Sequence, residues 1–330
     1  MKITFEDRRY PIESLPKGPG VLFGQMEPHM AYAFSGKSAI ARVLEYYRGE
    51  RTLSNKTSQV LVPEWLGAWV YMTMHNYCFP TTTMNKNVRG IMVYHQWGFP
   101  QKMEKILAFA AKHCLFVLED CAHSFHSSYR GTRVGTFGFA SIWSFAKFFP
   151  SVVGGAVYSK HAALLARVRA SYAESDPALE KKVFDYVRTN KRPTRAALRE
   201  VARNYAVYPE LYSCPPYAKR VVAKMLANGA LEKRTENFAL LRKEFWGAAE
   251  ERLLENSEVC PWVVPLFFGD KNKKIAHALE EHGIESGVYH FDVERNMLKP
   301  RFVECVAVPC HQGLSRAVIE KMIRIIRDAR

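Results

Sequence analysis

The chain has 330 residues, 48% hydrophobic and 24% charged, the balance of a folded globular protein with a large core rather than a disordered or fibrous one. No apolar run approaches the ~20 residues that cross a bilayer, and the opening MKITFEDRRYPIE lacks the apolar core of a secretory leader. The net charge of +15 favours phosphate-bearing partners and says nothing about fold.

In chain order, residues 38–48 place Ile40, Val43, Leu44 and Tyr47 on one helical stripe. SQVLVP (58–63) reads as a buried strand closed by Pro63, and a helical stretch follows to about Tyr77. GIMVYH (90–95) is a second strand. PQKMEKILAFAAKHC (100–114) predicts a helix with Pro100 near its start and Met103, Ile106, Leu107 and Ala110 inward. LFVLED (115–120), SIWSF (141–145) and GGAVYS (154–159) are further strands. Alternating strands and helices predict an α/β fold with a mostly parallel sheet covered on both faces.

From about 160 to 255 the pattern is helical and charged, broken by YPELYSCPPY (208–217). Between Lys181 and Arg234 stand 13 Lys or Arg against four Asp or Glu, interleaved with Phe184, Tyr186, Tyr205, Tyr208, Tyr212 and Tyr217. That stretch is either a solvated helical face or a groove for a nucleotide diphosphate or a nucleic-acid strand. The closing segment mixes strands VVPLFF (263–268) and CVAVP (305–309) with a helix over 272–282 and another from about Ser315. The expected organisation is a large cofactor-binding domain, 1–235, and a small α+β domain, 236–330. Seven cysteines (Cys78, Cys114, Cys121, Cys214, Cys260, Cys305, Cys310) form no CxxC pair, which argues against disulfides or a metal site and for a reducing cytoplasm.

Ligands of open parallel sheets sit beyond the carboxyl ends of the strands. Asp120 closes one such strand, His123 follows three residues later, His95 ends another, and Ser144 and Lys147 follow a third. A carboxylate, an imidazole and an amine converging there suit pyridoxal 5'-phosphate, whose aldehyde a lysine captures and whose ring nitrogen an Asp keeps protonated. Its phosphate needs backbone N–H groups at a helix start, and SGKSAI (35–40) offers Ser35, Gly36, Lys37 and Ser38.

From Ser35 to Ser159 the chain resembles the DegT-type sugar aminotransferases, within the fold-type I pyridoxal-phosphate enzymes. SGKSAI matches that family's S-G-T-x-A, Val62-Pro63 its V-P strand end, and VYHQWG (93–98) its V-H-x-x-G. EDCAH (119–123) matches E-D-x-A-H, YRGTRVGTFG (129–138) the glycine-spaced run, and SFAKFFPSVVGGAV (144–157) the lysine segment. VAVPCHQGLSRAVIEKMIRII (306–326) resembles the family's closing segment. The lysine follows S-F more closely than is usual, and Lys37 stands in place of the threonine.

The resemblance implies that Lys147 forms the Schiff base and shuttles protons, Asp120 pairs with the ring nitrogen and His123 approaches the ring hydroxyl. Gly36, Lys37 and Ser144 would hold the phosphate, and Trp65 or Trp69 would stack on the ring. It also implies a homodimer and transamination of a nucleotide-linked keto sugar from an amino donor such as glutamate or glutamine. The alternative keeps the cofactor for decarboxylation or rearrangement of an amino-acid-modified base in nucleic acid, as in viral DNA hypermodification, with 181–234 as the docking stretch.

Overall fold

The computed structural model describes residues 2–7, 9, 15, 20–54, 57–171 and 213–330. The larger part is built on β1 (Met30–Ala33), β2 (Gln59–Leu61), β3 (Phe79–Thr81), β4 (Val88–Tyr94), β5 (Phe116–Asp120), β8 (Ala140–Ser144) and β9 (Gly155–Tyr158); a small hairpin supplies β6 (Ser128–Tyr129) and β7 (Thr132–Arg133). The sheet order is β1-β9-β8-β5-β4-β2-β3. The run from β3 to β8 is parallel, and β9 and β1 add antiparallel to its edge.

Helices cover both faces, which is why the central strands read as unbroken apolar runs. On one side α1 (Gly36–Gly49) packs Ile40, Val43 and Leu44 with Met92 and Leu118. On the other, α3 (Met103–Lys112) packs Met103, Ile106 and Ala110 with Ile91, Val93 and Val117. The intervening α2 spans Ala68–Met74. Each fully buried aliphatic side chain here stabilises the fold by about 1.5–3 kcal/mol, and Leu44→Ala would cost roughly 2–5 kcal/mol.

The helix expected from 100 starts only at Met103. Residues 101 and 102 spend their N–H groups elsewhere, on His95 Nδ1 and on the Arg295 carbonyl. Leu107 packs against the same core but is only partly buried.

After β9 come α4 (Ala162–Ser171), α5 (Pro216–Ala227), α6 (Ala230–Phe245) and the short α7 (Ala248–Glu251). The expected division at 235 and 236 falls inside α6. Residues 181–212 of the basic stretch lie outside the described residues. Its last arginine, Arg234, is not a surface charge: it is fully buried.

The C-terminal part comprises β10 (Ser257–Glu258), β11 (Val263–Leu266), α8 (Asn272–Glu281), β12 (Val288–Asp292), β13 (Phe302–Pro309) and α9 (Arg316–Ala329). β10 pairs with β6, and β11-β13-β12 form an antiparallel sheet. α9 is capped by the Ser315 side chain and turns Ile319, Met322, Ile325, Ile326 and Ala329 onto that sheet's core. The N-terminal segment joins it: Ile3 bridges to Ile284, and Phe5 N–H donates to Glu285 Oε2 at 3.2 Å. No described helix is long and apolar enough to cross a membrane.

Candidate active site

The parallel register sets Tyr94 beside Asp120, and Asp120 beside Ile142, so the C-terminal ends of β4, β5 and β8 meet in one row. Asp120 is 3% exposed, and Ala122 N–H donates to its Oδ1 at 3.0 Å. Burial pushes this carboxyl up to about 6, only partly offset by the Ala122 N–H and nearby positive charge such as Lys147. Such a carboxylate is poised to hold a cationic N–H.

His123 lies beside it. Tyr94 Oη and His123 Nδ1 share a 2.6 Å hydrogen bond, and the imidazole stacks on the Trp262 indole at 4.0 Å between centroids. Burial first, and the Lys147 charge second, hold its pKa well below the ordinary histidine value, so the ring is neutral.

Lys147 lies in the turn after β8. Its Nζ is 2.9 Å from Glu6 Oε1 and 4.9 Å from the Trp262 ring centroid. One ammonium thus acts on Asp120, His123 and Trp262 together. The indole Nε1 of Trp262 is buried with no hydrogen-bond partner, a donor left over at the same place.

The start of α1 closes the other end. Ser35 and Ser38 form a reciprocal capping box, with Ser35 Oγ accepting from Ser38 N–H at 3.2 Å and Ser38 Oγ accepting from Ser35 N–H at 2.9 Å. Both hydroxyls are therefore engaged with the helix start itself. Gly36 approaches the end of β8 so closely that a Cβ there would stand 3.0 Å from Ser144 Cβ. Its N–H and the Ser144 hydroxyl consequently share one cradle at a helix N-terminus, the place where a phosphate is held best. Lys37 Nζ stands 4.9 Å over the Trp69 ring. Trp69 thus shares this end of α1, whereas Trp65 stacks on His290 of the C-terminal part at 4.6 Å.

Glu119 carries a role that the sequence reasoning missed. Fully buried, it accepts from the backbone N–H groups of Gly135, Phe137 and Gly138 at 2.7–2.8 Å, which ties the G-T-F-G turn to β5. His95 completes the knot: its Nδ1 accepts from Gln101 N–H, so Nε2 carries the proton donated to Glu119 at 3.1 Å. His95 is therefore a satisfied core histidine. His95, Glu119 and Cys121 bring ligand-type atoms within 4.8 Å of one another. The histidine nitrogens and both carboxylate oxygens in that group are already committed to protein partners. The glycines of the 135–138 turn were the available signal, since they imply backbone N–H groups needing a buried acceptor.

Residues 81–189 match the DegT/DnrJ/EryC1/StrS aminotransferase family. A 62-residue stretch is 45% identical to GDP-perosamine synthase of Escherichia coli O157:H7, covering 19% of this chain and 17% of that protein. Over 125 residues the chain is 30% identical to dTDP-3-amino-3,6-dideoxy-alpha-D-galactopyranose transaminase of Aneurinibacillus thermoaerophilus, covering 37% of this chain and 34% of that one. The matched stretches thus span 17% and 34% of these relatives' lengths. Among solved structures, the aminotransferase TlmJ from Streptoalloteichus hindustanus superposes with a TM-score of 0.67 at 14% identity, over 91% of this chain and 85% of that one.

Sheet order and this superposition show the fold: an α/β fold shared with a solved aminotransferase structure. Within the chain, residues 81–189 are similar to the DegT/DnrJ/EryC1/StrS aminotransferase family.

Proposed function

We propose that the protein is a pyridoxal-phosphate-dependent aminotransferase acting on a nucleotide-linked keto sugar, with Lys147 as the residue that binds the cofactor covalently. The single observation carrying this reading is the placement of Lys147 Nζ over the Trp262 ring on which His123 stacks, with buried Asp120 at the adjoining strand end. The donor set fits the cofactor. The Asp120 carboxylate suits a protonated ring nitrogen, His123 and the spare Trp262 N–H suit the ring's polar rim, and the Gly36–Ser144 cradle suits a phosphate. The matches to GDP-perosamine synthase and to a dTDP-amino-sugar transaminase support the substrate class.

When bound, pyridoxal phosphate supplies an aldehyde carbon that captures amines and a ring that accepts electrons. Asp120 would hold the proton on the ring nitrogen, which the carboxylate's charge favours. Lys147 Nζ would hold the aldehyde carbon and, when released, carry a proton to or from the substrate carbon. Trp69 or Trp65 would exclude water from the ring face. A homodimer in a reducing cytoplasm belongs to the same reading, supported by family likeness and by seven free cysteines, six of them buried.

The nucleic-acid alternative draws on the charges of 181–234. The burial of Arg234 removes one of them from reach of a backbone phosphate.

The test is to load the protein with pyridoxal phosphate, reduce one portion with borohydride and map the modified peptide, and offer amino donors to an unreduced portion, assaying pyridoxamine phosphate against carbon dioxide. An adduct on Lys147 and pyridoxamine phosphate formation are expected. A Lys147→Ala protein that still binds the cofactor as an imine and turns over would end the proposal.

A further inference from the structure

Arg234 is a fully buried cation with no carboxylate against it among the described residues. Its guanidinium donates to the Pro261 and Trp262 carbonyls at 3.2 and 3.1 Å, to the Phe148 carbonyl at 3.1 Å and to Gln312 Oε1 at 2.8 Å. It also lies over the Phe148 ring, 4.6 Å from the centroid. Gln312 Nε2 donates to the same Phe148 carbonyl at 2.8 Å. A buried charge is tolerated only when its donors are met, and neutral carbonyls meet most of these.

The acceptors define the purpose. Phe148 is the residue after Lys147, and Trp262 is the ring that lies under the Lys147 ammonium and stacks on His123. The guanidinium fork therefore holds two separate walls of the site in register: the lysine turn after β8 and the start of β11. These carbonyls have in common that they flank the reactive amine and its aromatic floor.

We propose that Arg234 is a positioning residue that sets Lys147 against Trp262 and His123, acting through the Phe148, Pro261 and Trp262 carbonyls. This rests on the reading of Lys147 as the cofactor-binding amine. A lysine at 234 keeps the charge and loses the fork, so it cannot bridge the three carbonyls.

The experiment compares wild type, Arg234→Lys and Arg234→Ala, the last with and without guanidinium well below denaturing concentration. The first readout is competitive acetylation of the cofactor-free protein, with Lys147 scored by mass spectrometry against the other lysines of the same molecule. The second is the rate of pyridoxal phosphate attachment to Lys147 and the induced circular dichroism of the bound cofactor. Arg234→Lys is expected to change Lys147 labelling selectively and to slow attachment by about tenfold or more, since displacements of order an ångström cost up to ~100-fold. Guanidinium, and not ethylammonium, should restore Arg234→Ala.

Variants that merely melt lower, with wild-type Lys147 labelling, attachment rate and dichroism, would overturn the proposal. If wild type takes up no cofactor while Lys147 labelling still responds to position 234, the positioning role stands and the aminotransferase reading falls.

Discussion

The Lys147 ammonium is paired with the Glu6 carboxylate at 2.9 Å, so the segment 3–7, anchored on the C-terminal part through Ile3 and Ile284, reaches the amine proposed to bind the cofactor. Lysine attacks an aldehyde only as the free amine, and the pair must open first. Both side chains are partly solvated, 37% and 25% exposed, which keeps the pair within about 0.2–1 kcal/mol. Glu6→Gln should therefore leave the melting temperature nearly unchanged and speed cofactor attachment a few-fold, checked by stopped-flow absorbance. A slower attachment would show that Glu6 helps to hold the amine in place.

Asp120 gives a pH dependence with an unusual sign. Its folded-state carboxyl is raised from 3.8 to about 6. The folded protein thus binds the proton more tightly than the unfolded chain, and stability falls as pH rises through that window. The penalty above pH 6 is roughly 2–3 kcal/mol. Cofactor-free Asp120→Asn should be more stable than wild type near pH 7.5 and lack that slope between pH 4 and 6. It should also bind pyridoxal phosphate more weakly. Urea titrations across pH check the first two outcomes, and spectroscopic titration checks the third.

Glu119→Gln would present an NH2 to backbone donors that now meet a carboxylate. Three backbone N–H groups and the His95 ring depend on that carboxylate. A loss of roughly 3 kcal/mol is expected, measured by denaturant unfolding.

Two glycines separate fold from cofactor. A Cβ on Gly155 would stand 2.5 Å from the Trp143 carbonyl oxygen, so Gly155→Ala should impair folding. At Gly36 the nearest clash is Ser144 Cβ at 3.0 Å, which a small shift relieves. Gly36→Ala should fold and lose affinity for pyridoxal phosphate while binding phosphate-free pyridoxal almost as wild type. An equal loss for both ligands would place the phosphate elsewhere.

Much of the large part was legible because its strands, buried on both faces, show as apolar runs and its helices as clear stripes. β1, β3 and β12 escaped because MAYA and FPT are too short to show a period, and VYHFD mixes polarity at a half-covered edge. Of the site, EDCAH pointed to Asp120 and His123 and the lysine segment to Lys147, each at a strand end. Glu6 and Trp262 were hidden for another reason. They reach the site from opposite ends of the chain, and no local pattern encodes a meeting between residues 141 apart, the separation of Glu6 and Lys147. Arg234 was counted among surface charges because composition records sign and not depth.

Glu119 and Asp120 are neighbours in β5, and a strand turns neighbours to opposite faces. Leu118 packs with α1 and Val117 with α3, so the two acids look into different halves of the molecule. A slip of β5 by one residue would put the acid with a single backbone donor against the glycine turn and bring the other, stripped of its partners, toward Lys147. Alignment of this strand is thus guarded by charge as well as by grease, and insertions should be far less welcome within 116–120 than in the loops that flank it.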